Sequence, residues 1–282
     1  MGIGMKAFCG FVILAMLGGV AACLPPPAMA AMNSISATFG QSTNHKFMMA
    51  VPPAAPVGLS GVLARPKGNG PFAAVVMLHG CGGPGLWGQQ WSPRLVSWGY
   101  VAFRVDSFGP RGKWNVCGDP TRVLPHIRAR DAHAAKAYLA GLPFVDENRI
   151  AVIGMSHGGW STLSAVENPR NSAAPRANPF KAAVALYPWC DEELYRLDAP
   201  LLILIGEVDD WTPAFRCERM ETVGPTRHAI TLKVYPGATH SFDVVRFEPI
   251  VYLGHNLKND PEAARDAVAQ VKAFLAKHLG DS

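Results

Sequence analysis

The amino-acid sequence predicts an α/β fold in which a mostly parallel central sheet carries helices on both faces. Two patterns carry that expectation. Short β-branched or apolar runs alternate with longer stretches of helical periodicity, and the runs are apolar at consecutive positions rather than at every second one. Side chains along a strand point alternately to opposite faces, so such runs need cover on both. Strands that alternate with helices assemble into a parallel sheet. The composition, 49% hydrophobic and 17% charged over 282 residues, supplies one sizeable core, at a length that α/β domains reach without splitting.

The N-terminus is read apart from the fold. Lys6 precedes an apolar run from Ala7 to Ala22, followed by Pro25, Pro26 and Pro27 and then Ala28-Met29-Ala30. A positive start, a hydrophobic stretch, a helix breaker and a small-residue site form the grammar of a secretory signal, with cleavage after Ala30. Two other readings stand beside it. One is an anchor that stays attached, for which the run is short. The other is a lipoprotein box at Val20-Ala21-Ala22-Cys23, in which Cys23 carries a lipid. All three place the folded part outside the cytoplasm, periplasmic or secreted, and residues 31–282 are expected to form a single domain with no stable membrane span.

From Met32 to about Pro56 the text is irregular, an arm or a first edge strand. Strands are expected at Ala73–Leu78, Tyr100–Val105, Ile150–Ile153, Ala182–Leu186, Leu201–Ile205 and Ile230–Val234, each a short apolar run. Helices are expected at about Trp91–Trp98, Val123–Leu142, Ser156–Glu167, Pro213–Val223 and Pro261–Leu279, the last with Asp260 as its cap and Pro261 in its first turn. No repeat or low-complexity tract interrupts them. The formal charge of +5 is scattered as isolated Lys and Arg, so no nucleic-acid partner is expected.

In a parallel sheet, functional groups gather at the carboxyl ends of the strands. There the chain carries Gly154-Met155-Ser156-His157-Gly158-Gly159, a G-x-S-x-G turn between a strand and a helix. The glycines allow the close approach that lifts a serine hydroxyl above the sheet. A serine needs a base, and the base needs an orienting carboxylate. The run ending at Ile205 leads into Gly206-Glu207-Val208-Asp209-Asp210, and the run ending at Val234 leads into a loop bearing His240. The order Ser, Asp, His, each past a strand end, is that of the α/β-hydrolase triad. Asp209 is preferred over Asp210 as the acid, with one of the pair expected to cap the following helix. His126, His133 and His278 fall in helical text, and His45, His228 and His255 follow no core strand.

Acyl transfer also needs donors for an oxyanion. The N–H of His157 follows the serine, and the loop His79-Gly80-Cys81-Gly82-Gly83 after an early strand offers the N–H of Cys81. The Cys81 thiol is itself a rival nucleophile, without the strand-turn-helix setting. Arg111 is a candidate for binding a substrate carboxylate, its alternative being an exposed loop arginine. Trp211 and Trp160 are candidates for an apolar wall, with core packing favoured for Trp160. Removing the signal takes Cys9 and Cys23 and leaves Cys81, Cys117, Cys190 and Cys217, enough for two disulfides with three possible pairings. A structural zinc site lacks C-x-x-C spacing.

Five segments together, Leu78 to Gly83, Asp106-Ser107-Phe108-Gly109-Pro110-Arg111-Gly112, Gly154 to Gly159, Gly206 to Pro213 and Thr239-His240-Ser241-Phe242, resemble the dienelactone hydrolase family from about Pro56 to Leu279. The resemblance implies the α/β-hydrolase fold and places the triad acid at Asp209. The namesake enzymes use a cysteine where this chain has Ser156, a departure shared with esterase, lipase and polyester hydrolase branches, so what the resemblance implies is carboxylic ester or lactone hydrolysis, with dienelactone itself left open. On the implied fold, Cys81 and Cys117 follow neighbouring central strands while Cys190 and Cys217 flank the acid strand, which pairs Cys81 with Cys117 and Cys190 with Cys217. The expected activity is an exported serine esterase that needs no cofactor or metal. A serine peptidase-like hydrolase and a catalytically inactive envelope binding module are the rival readings.

Overall fold

The structure, a computed structural model, describes residues 42–49, 57–167, 178–191, 197–223, 230–245 and 248–280. The expected signal segment with Cys9, Cys23 and Ala30, and His228, lie outside the described residues. Eight strands form one sheet: β1 (Thr43–Met49), β2 (Val57–Ala64), β3 (Phe72–Leu78), β4 (Val101–Asp106), β5 (Val145–Met155), β6 (Ala183–Leu186), β7 (Leu201–Gly206) and β8 (Ile230–Tyr235). Their spatial order is β1-β2-β4-β3-β5-β6-β7-β8. The pairs β1–β2 and β2–β4 are antiparallel and the others parallel. The helices are α1 (Leu86–Ser97), α2 (Pro125–Ala140), α3 (His157–Val166), α4 (Ala214–Val223) and α5 (Pro261–Leu279).

The centre of the sheet explains its parallel run. Every residue of β6 and β7 is buried, as are Ala73 to Leu78 of β3. Consecutive residues face opposite sides, so both faces are covered. The six expected strands occur within a few residues of their predicted limits. The outer strand β2 was not expected. Its burial alternates, and its sequence carries Gly58 and Gly61, which read as loop. Gly61 is there because a Cβ would meet the Phe103 ring at 2.7 Å. The irregular arm resolves into β1 as the sheet's edge. Helix α1 begins at Leu86, earlier than the expected Trp91, with Gly88 lying inside the added turn. Asp260 caps α5 as expected, accepting from the N–H groups of Glu262 and Ala263.

A small hairpin, β9 (Ile250–Tyr252) and β10 (His255–Leu257), is too short to announce itself by periodicity. It is tied to the main body by Asp210, whose carboxylate accepts from Asn256 N and Nδ2. Disulfides join Cys81 to Cys117 and Cys190 to Cys217. The first clamps the loop after β3 to the segment after β4, and the second clamps the chain after β6 to α4. Among the described residues, no helix is long and apolar enough to cross a membrane.

The Cys190–Cys217 bridge closes a span of 27 residues, and restricting the unfolded chain over such a loop stabilises the fold by roughly 3 kcal/mol. The Cys190→Ser, Cys217→Ser double variant is expected to lose about that much unfolding free energy in urea, with α5 and the central sheet still folded by circular dichroism.

Candidate active site

Strand β5 ends at Met155 and α3 begins at His157, leaving Ser156 alone at the turn with φ 52° and ψ −119°. A non-glycine residue held there costs about 1–3 kcal/mol and persists only where its surroundings dictate it. Two glycines dictate it here. A Cβ on Gly154 would fall 2.2 Å from the carbonyl oxygen of Gly158, and one on Gly158 would fall 2.1 Å from that of Leu78. Helix α3 therefore starts in contact with the ends of β3 and β5. The turn is fixed from the other side by Ser156 N donating to Leu186 O at 2.9 Å.

His240, in the loop after β8, lies with Nε2 2.9 Å from Ser156 Oγ and Nδ1 2.8 Å from Asp209 Oδ2. His240 and Asp209 are only 2% and 3% exposed. Asp209 is also held by the N–H groups of Trp211 (2.9 Å) and Thr212 (2.8 Å) on Oδ1 and by Thr212 Oγ1 (2.9 Å) on Oδ2. An ionised carboxylate only accepts, so the Nδ1 contact makes Nδ1 the protonated nitrogen and leaves Nε2 as acceptor for the serine hydroxyl. The imidazole is flanked by Tyr187 and Trp211, at ring separations of 4.8 and 5.2 Å. Of the acid pair, the structure brings Asp209 to the imidazole and not Asp210. Asp209 also takes the amides of Trp211 and Thr212 leading toward α4, while Asp210 serves the β9–β10 hairpin.

A cleft of about 330 Å³ opens over Ser156 and His240, walled by the Gly80–Gly83 loop, Leu86, Trp211, Ile250 and Tyr252. Cys81 lies in that wall, its loop held by the disulfide and by Val116 N donating to Cys81 O at 2.8 Å. His157 is the first residue of α3, so its N–H belongs to the first-turn amides that find no acceptor within a helix. His255, set aside in the sequence, stacks on Trp211 at 4.5 Å. Trp160 does not line the cleft; its Nε1 donates to Asp191 Oδ2 at 2.6 Å. Among the described residues, no group of three or more His, Cys, Asp and Glu side chains is placed to hold a metal ion.

The expectation for Arg111 is corrected. Its guanidinium forks onto Asp131, with Nη1 2.8 Å from Oδ2 and Nη2 2.7 Å from Oδ1, and Nη1 also donates to Ser107 O at 2.6 Å. The carboxylate it binds is the protein's own. Asp131 is fully buried in α2, and a buried carboxylate without a counter-ion is costly, which is why the arginine turns inward.

A second arginine escaped the sequence reading. Arg128 of α2 is fully buried, donating through Nη2 to His79 O at 2.6 Å and through Nη1 to His157 Nδ1 at 2.8 Å. One guanidinium thus holds both shoulders of the cleft, the loop after β3 and the head of α3. His157 Nε2 donates in turn to Pro120 O at 2.9 Å. A signal existed: Arg128, Asp131, Ala132, Ala135 and Leu139 recur at helical spacing, so two charges stand on a face otherwise fit for the core. Burial lowers Arg128 to about 9, still a cation at neutral pH. Burial, then the Arg128 charge, lowers His157 to about 4, and the same two causes hold His79 well below its usual value.

These shifts have a sign. Between pH 6.5 and about 4 the unfolded chain protonates His157 and the folded chain does not, so stability is full above that window and falls as pH drops through it, at up to about 1.4 kcal/mol per pH unit. His79 acts in the same direction. The buried Asp243 carboxyl, raised by burial, acts in the opposite one, holding its proton longer in the fold. Thermal unfolding followed from pH 7 to 4.5 is expected to fall less steeply for His157→Asn than for the wild type, even though the variant starts lower.

The comparisons with known proteins agree with this architecture. The sequence profile of the dienelactone hydrolase family matches residues 59–279. A bis(hydroxyethyl) terephthalate hydrolase of Streptomyces coelicolor is 30% identical over 155 residues, covering 51% of this chain and 42% of that protein. Cutinase 2 of Thermobifida cellulosilytica is 28% identical over 193 residues, covering 64% of each. The chain thus spans less than two thirds of the length of these relatives. Among solved structures, a dienelactone hydrolase-like promiscuous phosphotriesterase from metagenomic libraries superposes with a TM-score of 0.61 at 19% identity, covering 86% of this chain and 100% of that one. A thermophilic esterase from Thermogutta terrifontis gives 0.57 at 18% identity, covering 84% and 93%. The strand order, the serine turn between β5 and α3 and the matched profile lead to one conclusion: this chain is a member of the dienelactone hydrolase family, with the α/β-hydrolase fold.

Proposed function

We propose that the protein is an exported serine hydrolase that cleaves carboxylic esters or lactones through an acyl-enzyme. One observation carries the reading: the unbroken chain of hydrogen bonds from Ser156 Oγ through His240 to Asp209, at 2.9 and 2.8 Å. Ser156 Oγ attacks the carbonyl carbon while its proton passes to His240 Nε2, and Asp209 holds the Nδ1–H tautomer and stabilises the imidazolium. The N–H groups of Cys81 and His157 receive the developing oxyanion. Collapse breaks the bond to the leaving alkoxide, which takes the proton from His240. A water, deprotonated by His240, then attacks the acyl carbon and releases the acid and Ser156.

The apolar walls from Leu86, Trp211, Ile250 and Tyr252 suit a substrate with an apolar body. The names of the relatives, a terephthalate diester hydrolase and cutinases, point to carboxylic esters. Neither a peptidase nor an inactive binding module is favoured by a specific feature, and a module without chemistry has no use for a strained Ser156 hydrogen-bonded to an imidazole. The two disulfides suit an oxidising compartment. In this reading residues 1–30 are removed and 31–282 form a single catalytic domain, with lipidation at Cys23 the alternative processing.

A fluorophosphonate probe is expected to label the wild type at Ser156 and to leave Ser156→Ala unlabelled, read by peptide mass spectrometry. On p-nitrophenyl butyrate, Ser156→Ala, His240→Ala and Asp209→Asn should each lower kcat by about 10⁴-fold, while Asp210→Asn leaves it nearly unchanged. Loss of activity in Asp210→Asn with retention in Asp209→Asn would contradict the assignment.

A further inference from the structure

A second cavity, of about 540 Å³, lies between β1, β2, β4 and the start of α1, and His79, Gly85, Trp87 and Gly88 face both it and the cleft. Val62, Met77, Pro84 and Trp87 give it apolar walls. Into this space β4 sends Arg104, which shares its sheet face with its register partners Val62 and Met77. Its stem runs beneath Gly88 of α1, where a Cβ would lie 3.0 Å from Arg104 Cδ. Glycine within a helix costs about 1 kcal/mol relative to alanine, and at this position it opens the corridor that the arginine uses.

At the end of that corridor the guanidinium meets no partner. The Arg104 side chain makes no hydrogen bond or ion pair among the described residues, and its Nε is buried without an acceptor. Trp87, 4% exposed, has its indole Nε1 buried and likewise unsatisfied. Two orphaned donors beside one cavity are unusual, since buried donors are almost always satisfied. The nearby carboxylate, Asp106, which also lines the cavity, takes the N–H groups of Phe108 and Gly109 on Oδ1, each at 2.9 Å, and makes no ion pair with Arg104. His45 is turned aside, with Nδ1 on Tyr138 Oη and Nε2 on Thr43 Oγ1. Arg111 and Arg128 differ in that both terminal nitrogens of each guanidinium are hydrogen-bonded.

We propose that this cavity is a binding site for a small monocarboxylate with an apolar body, of the arylcarboxylate class, held through its carboxylate by Arg104. The planar guanidinium fork matches a carboxylate, and the apolar walls accept the ring. Arg104 and Lys46 stand against Asp106 on the cavity wall, a net charge of +1 that one carboxylate balances, whereas a phosphate dianion would exceed it. The proposal stands apart from the chemistry at Ser156.

Benzoate serves as the probe and benzamide as its neutral isostere, with binding to the full chain followed by calorimetry and by the Trp87 indole resonance, identified through its loss in Trp87→Phe. Benzoate is expected to bind saturably and shift that resonance. Arg104→Met should weaken benzoate at least about tenfold, should not alter benzamide binding, and should hydrolyse p-nitrophenyl acetate at the wild-type rate. Arg104→Gln provides the same comparison should Arg104→Met not fold. The inference is overturned if benzoate does not saturate the wild type, if benzamide binds as tightly, or if benzoate competes with p-nitrophenyl acetate at an affinity unchanged by loss of the guanidinium.

Discussion

The contact between Gly158 and the carbonyl oxygen of Leu78 is the constraint on which the rest of the site depends. It lets α3 begin against the ends of β3 and β5, which forces the chain through positive φ at Ser156. The strain of that turn is balanced by the central sheet, whose strands β3, β6 and β7 and the Ile150–Gly154 part of β5 are almost wholly buried. A hydroxyl raised this way stands clear of its own backbone. The loops after β7 and β8 then need only bring a carboxylate and an imidazole to the same edge.

Rigidity at this edge is built from satisfied polar groups. Asp209 accepts from two amides, a hydroxyl and an imidazole, so its orientation is fixed before any substrate arrives. Behind the cleft, Arg128 links His79 O to the His157 ring, and Arg111 neutralises Asp131. Networks of this kind are strong when complete and costly when broken. They hold the Cys81 loop and the head of α3 at a set spacing, which a pair of backbone donors for an oxyanion requires. The Cys81–Cys117 bridge adds a covalent tie to the same loop.

Much of this was legible in the sequence. The core strands were legible because a doubly covered strand is apolar at every position, and Ser156, Asp209 and His240 because each follows such a strand in the order the fold imposes. The preference for Asp209 over Asp210 drew on the family resemblance, since by strand pattern alone adjacent residues differ only in where the turn points them. Strand β2 was hidden by glycines that make room for Phe103, and the hairpin β9–β10 by its brevity. Arg111 was misread because a loop arginine looks the same whether it faces a substrate or a buried carboxylate twenty positions along the chain. Arg128 and Asp131 were hidden for a related reason: charges on a helix are assigned to solvent unless their partners, far away in sequence, are known.

The account rests on Ser156 attacking a carbonyl whose oxygen turns toward the amides of Cys81 and His157. A crystal structure of the protein inactivated with diethyl p-nitrophenyl phosphate tests this most directly, because the adduct imitates the tetrahedral intermediate. Phosphorus bonded to Ser156 Oγ, with the phosphoryl oxygen about 2.7–3.1 Å from both amide nitrogens, is the predicted result. An adduct on another residue, or a phosphoryl oxygen directed to solvent away from both amides, would contradict it.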